Sequence, residues 1–132
     1  MPNRAQNWPE QAKRNLERAV ASRKEGRHEW VCFAGQQAAE LTVKALHVWH
    51  GQEAWGHAVA RLLEDLPSQA PSDLIANSKA LDNVHVPTRY PSGHPEGAPF
   101  GHYGIYQSQE AIKHAGEVLA CVRARMAGEA RG

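Results

Sequence analysis

Two groups of residues in this chain have types and spacings that could do chemistry. The first is Arg89-Tyr90-Pro91-Ser92-Gly93-His94. A histidine changes charge near neutral pH and so can act as acid or base, while a guanidinium clamps phosphate through paired hydrogen bonds. Around this pair lie His85, Phe100, His102, Tyr103 and Tyr106. Cations mixed with flat rings suit stacking on bases while gripping phosphate. The same rings could equally dock on their own domain or on a second subunit. The second group is Gln37, Glu40 and Lys44, three and four residues apart in an otherwise apolar run. At helical spacing they form a polar strip, with Glu40 preceding Lys44 in the favourable order for an ion pair. Such a strip either closes on itself, fixing helix register, or lines a ligand cavity or a subunit seam.

Other chemistries find less support. His47 and His50 lie three apart with His57 following, but there is no HExxH and no second carboxylate–histidine pair to complete a di-metal set. Glu25 and His28 are spaced for metal binding, yet Gly26 between them marks a helix break. Neither a metal nor a cofactor is expected. Glycine loops that cradle phosphate are also missing. Cys32 and Cys121 stand alone, without a CxxC partner, and read as two buried free thiols. Formal net charge is +1, so no global basic field signals nucleic acid and any such contact must be local. No run approaches the roughly 18–20 apolar residues of a membrane span, and residues 1–7 lack the apolar core of a signal peptide. A soluble, cytoplasmic protein follows as the expectation.

The elements that must position these residues read as helices. The 132 residues fit one domain. Trp8, Ala12, Leu16 and Ala19 recur at helical spacing over residues 7–24, and Gly26 supplies a stop. Residues 29–50 carry Trp30, Ala34, Ala38, Leu41, Ala45 and Val48 on one stripe, widened by Val31, Phe33, Leu46 and Trp49. A helix apolar on several faces is packed by neighbours on several sides, so this one is the central rod. Val59, Leu62, Leu63 and Leu66 predict a short third helix over 57–66, ended by Pro67. Ser72 or Asp73 then offers an N-terminal cap for a fourth, with Leu74, Ile75 and Leu81. Residues 86–104 are too rich in Pro and Gly for helix and read as a long functional loop. Residues 107–126 form the last helix, followed by a frayed tail from Gly128. The fold class is therefore all-α, a four- to five-helix up-and-down bundle.

Taken together, QQAAE followed by Lys44-Ala45 in the long second helix, His57 at the start of a leucine-rich third helix, and the late Arg89-Tyr90-Pro91 resemble the HEPN family over about residues 5–126. The resemblance implies a helical bundle that is usually a homodimer, related to the substrate-binding domain of kanamycin nucleotidyltransferase. Family members often work beside a minimal nucleotidyltransferase, as in toxin–antitoxin pairs, and others are metal-independent RNases. The family's nuclease signature, Arg and His four to six residues apart, is met by Arg89 and His94. By resemblance, His94 would move the proton of the RNA 2′-hydroxyl and Arg89 would stabilise charge on the phosphorane. Pro91, Gly93 and Pro95 place that pair in a loop, and catalysis is sensitive to displacements of about an ångström. The first expectation is therefore a module that binds a nucleotide, RNA or a nucleotidyltransferase partner through Arg89, Tyr90, Gln37, Glu40 and Lys44. The second is a metal-independent endoribonuclease with Arg89 and His94 as its catalytic pair.

Overall fold

The computed structural model describes residues 7–83 and 104–131, with side chains to 129. Five α-helices are present and no strand occurs among the described residues: α1 (Asn7–Lys24), α2 (His28–Trp49), α3 (Val59–Glu64), α4 (Ser72–Asp82) and α5 (Ile105–Arg131). The three residues between α1 and α2 form a tight reversal. Gly26 adopts φ 77°, a left-handed conformation that costs a residue with a Cβ. Arg27 N–H then reaches back to Ser22 O at 3.1 Å and Gly26 N–H to Arg23 O at 3.0 Å, closing a Schellman turn. Gly51, with φ 74°, ends α2 in the same way, through Gln52 N–H to His47 O and Gly51 N–H to Val48 O, both 2.9 Å.

The rod expected over residues 29–50 is α2, which packs against all four other helices. On one side α1 supplies Ala12 and part-buried Leu16, meeting Ala38 of α2 and Leu119 of α5. On the other, Val43 and Leu46 join Leu62 and Leu63 of α3, Leu81 of α4, and Ala115, Val118 and Val122 of α5 in one continuous core. At Gly35, α2 and α5 lie against each other closely. A Cβ there would stand 3.2 Å from the Ala111 carbonyl oxygen and 3.5 Å from the Ala111 Cβ. Two small residues thus let two long backbones touch. Two polar side chains inside the rod are satisfied by carbonyls: Thr42 Oγ1 donates to Ala38 O of the same helix at 2.8 Å, and His47 Nε2 donates to the Leu62 carbonyl of α3 at 2.8 Å. Cys32 is buried and its thiol is pushed up to about 12 by burial and by the nearby Glu29 charge; Cys121 is only half-buried, and both are free.

Several expectations need correction. Trp30 and Val48, placed on the buried stripe, are 57% and 52% exposed, because the flanking helices cover α2 on its other sides and leave this edge open. Trp8 is likewise exposed. The third helix begins at Val59 and ends at Glu64, so His57 precedes it. The fourth helix is capped by neither Ser72 nor Asp73: Pro71 is its N-cap residue, and no side chain bonds there. The Pro71 carbonyl instead accepts from Leu74 and Ile75 N–H. The last helix starts at Ile105, taking Tyr106 out of the loop, and runs through Gly128 to Arg131. Its C-terminal turns are held, since Glu129 accepts from Trp49 Nε1 at 2.6 Å and lies 2.8 Å from His50 Nε2.

The Gly35 contact yields a direct expectation. Gly35→Val overpacks the α2–α5 crossing and lowers unfolding free energy by about 1–3 kcal/mol in urea titrations. Gly128→Val, at a position open to solvent, costs well under half as much; equal costs would show that the crossing is not tight.

Candidate functional site

The site is built where α2, the segment before α3 and the end of α4 meet. A six-residue helix such as α3 needs its N-terminal N–H groups satisfied, and its own N-cap residue is Ala58, which has no acceptor. Asp82, the last residue of α4, does the capping from 22 residues away: one oxygen accepts from Val59 N–H at 2.7 Å and the other from Ala60 N–H at 3.0 Å. Gln36, wholly buried in α2, holds this arrangement from below. Its Nε2 donates to the His57 carbonyl at 2.7 Å and to Asp82 Oδ1 at 3.3 Å, while its Oε1 accepts from Gln37 Nε2 at 2.8 Å. One carboxamide therefore ties three elements together.

One turn further along α2, Glu40 points into the same seam. Its Oε2 lies 3.3 Å from the Lys44 ammonium and 3.3 Å from His57 Nδ1. The Glu40 side chain is 10% exposed, Lys44 27% and His57 73%, so a buried anion sits beneath two groups that reach the surface. Its second oxygen, Oε1, is buried and has no hydrogen-bond partner among the described residues. An orphaned buried acceptor costs about 1–3 kcal/mol, a cost that a donor brought to the seam would relieve. Chemically the seam offers a cation, an imidazole and an acceptor, a set that can grip an anionic, hydrogen-bonding ligand.

Of the residues singled out from sequence, Glu40 and Lys44 come together as the expected ion pair. Gln37 lies beside them but bonds sideways to Gln36. Arg89, Tyr90 and His94, with His85, Phe100, His102 and Tyr103, lie outside the described residues. The two central histidines diverge: His47 faces the core, within 3.2 Å of Gln52 Oε1 as well as bonding Leu62, whereas His50 reaches Glu129. Its bond from His50 holds the Glu129 carboxyl below the usual carboxylate range, aided by Trp49 and against partial desolvation. A depressed carboxylate contributes stability above its unfolded value, and this clasp is lost as pH falls through the lowered one. Among the described residues, no group of three or more His, Cys, Asp or Glu is placed to hold a metal ion. Gln36 and Asp82 were missed from sequence. For Asp82 a faint signal existed, since α3 has no Ser, Thr, Asp or Asn at its own cap.

A bundle of this architecture, with a polar strip on its central helix, defines a class of small helical domains. The HEPN domain family model matches residues 5–125, and the chain belongs to the HEPN family. Among solved structures it is similar to TT1696 from Thermus thermophilus, with 46% identity, a TM-score of 0.89, and 93% of this chain and 98% of that chain covered. An archaeal HEPN homologue, ST0689, is 35% identical with a TM-score of 0.80 over 95% and 98% of the two chains. An HEPN domain protein from Thermotoga maritima is 26% identical with a TM-score of 0.74, covering 92% of this chain and 98% of its own. No functionally curated relative matches the chain. No helix among the described residues is long and apolar enough to cross a membrane.

Asp82→Ala removes both caps of α3 and one Gln36 contact, and costs about 1–3 kcal/mol in urea unfolding. Asp65→Ala, which removes an exposed pair with Arg61, stays within about 0.5 kcal/mol of wild type. Similar small losses in both would mean that the Asp82 cap contributes nothing.

Proposed function

We propose that the protein is a homodimeric HEPN module that binds a phosphate-bearing ligand, a nucleotide or RNA, beside a minimal nucleotidyltransferase partner in a toxin–antitoxin-type system. The observation that carries the ligand reading is the Glu40 carboxylate: buried, paired through one oxygen with Lys44 and His57, and unpaired at the other. An unsatisfied buried acceptor bears its full desolvation cost, so a ligand donor that reached this oxygen would gain by relieving it. A ligand amide, amino group or hydroxyl can donate to the orphan oxygen while Lys44 faces a phosphate. Arg89 and Tyr90 belong to this reading through chain connectivity. α4 ends at the seam with Asp82, and the seven residues from Asn83 to Arg89 span no more than about 25 Å.

The homodimer draws on apolar side chains left in solvent at the α2–α3 end, where Val48 is 52% and Trp55 81% exposed. Large exposed apolar groups in one region mark an interaction surface. The nucleotidyltransferase partner rests on family membership.

RNA incubated with the protein in EDTA tests the reading. Wild type binds a labelled single-stranded RNA or a nucleotide, and Lys44→Glu and Arg89→Ala each weaken that binding by about tenfold or more, near 1.4 kcal/mol. Cleavage in EDTA that His94→Ala abolishes would replace this reading with the metal-independent endoribonuclease, Arg89 and His94 being its catalytic pair. Neither binding nor cleavage would overturn both.

A further inference from the structure

A second surface, on the α1 side of α2, has the composition of a ligand site and borders the Glu40 seam at Gln37. α1 presents Asn15, Arg18, Ala19 and Ser22 along one face, and α2 presents Trp30, Phe33, Ala34 and Gln37 along another, with Arg27 just before its first turn. The spacings of three and four residues put each set on a single helical side. Between them lies an open groove of about 390 Å³, within the range of ligand clefts and large enough for a mononucleotide.

Three features of this groove point to one chemistry. Two guanidiniums line it and no carboxylate does. Arg18 makes no hydrogen bond or ion pair among the described residues, and Arg27 reaches Glu25 at 3.2 Å in a pair that is 65% and 62% exposed. Exposed pairs of that kind contribute little and exchange readily for a better anion. Trp30, at 57% exposure, meets Phe33 edge-on, ring centroids 6.0 Å apart at 82°. An edge-to-face contact steadies the indole while occupying at most one of its faces. Ala19 and Ala34 also line it, small enough to leave room for a flat ring.

We infer that the α1–α2 groove is a subsite for one nucleotide unit, its base stacked on Trp30 and its phosphate held by Arg18 and Arg27. A guanidinium pair grips phosphate oxygens, and an aromatic face accepts any base. The inference rests on the nucleotide or RNA reading above and adds a location for it. Gln37 joins the two surfaces: it lines the groove and donates to Gln36 in the seam, so a ligand chain could run from one to the other along α2. An acidic peptide shares the charge, but every nucleotide carries both the phosphate for the guanidiniums and a flat base for the indole, which is why a base is favoured.

Calorimetric titration of the full chain with AMP, with inorganic phosphate and with acidic peptide, alongside anisotropy with a labelled oligoadenylate RNA, tests the subsite. AMP binds more tightly than phosphate, and Trp30→Ala and Arg18→Gln each weaken it roughly tenfold or more, with melting temperature unchanged because both side chains are on the surface. The same losses with RNA but no AMP binding would assign the groove to a nucleotide within a strand. Nucleotide or RNA binding that survives both substitutions and is lost in Lys44→Glu would overturn the groove while leaving the ligand reading intact. Peptide binding with neither AMP nor RNA bound would overturn both.

Discussion

A wholly buried carboxamide sets the geometry on which the rest of the structure depends. Gln36 lies within an apolar rod, where an amide without partners would cost several kcal/mol, and each of its polar atoms is used. Because its partners come from the segment before α3 and from the end of α4, the amide specifies where those two elements sit relative to α2. Apolar packing alone would tolerate sliding, whereas hydrogen bonds of 2.7–3.3 Å do not. The Asp82 cap completes the constraint. A helix of six residues is too short to persist by itself in water, so α3 exists because its N-terminus is tied to α4 and its leucines are buried in the shared core.

That constraint divides the faces of α2 between structure and chemistry. Toward α5 the rod is smooth, and Gly35 against Ala111 lets the two longest helices meet. Toward α3 it is polar and satisfied at Gln36, then polar and incompletely satisfied at Glu40. Toward solvent it carries Trp30, Lys44 and Val48 at intervals along its length. A single helix thus serves as core element, as scaffold for two smaller helices, and as the display surface for cations and an indole. Rigid elements hold such groups more closely than loops do, so the central helix is a sound place to mount a ligand site.

Much of the fold was legible because helical periodicity is a local signal. The rod, its glycine stops at Gly26 and Gly51, and the helix order follow from spacing within windows of a few turns. The Glu40–Lys44 pair was legible for the same reason, its members being four residues apart. What spacing could not supply is contact at a distance. Asp82 reaches α3 across 22 residues and Gln36 reaches Asp82 across 46, so neither role leaves a mark on nearby residues. The exposure of Trp30 and Val48 was misjudged because a hydrophobic stripe reports what could be buried, and only the neighbouring helices decide what is. Likewise, a short flanking segment misled the reading of α4, whose first turn is closed by the Pro71 carbonyl with no side chain involved.

The central claim is that a buried amide and a distant carboxylate hold α3, and with it the ligand-facing seam, against α2. Native-state amide hydrogen exchange read at Val59 and Ala60 tests it most directly. Strong protection at both N–H groups in the wild-type protein, collapsing in Gln36→Leu while Val43 and Val118 in the main core stay protected, is the predicted result. Fast exchange at Val59 and Ala60 in the wild type, or protection that Gln36→Leu leaves untouched, would contradict it.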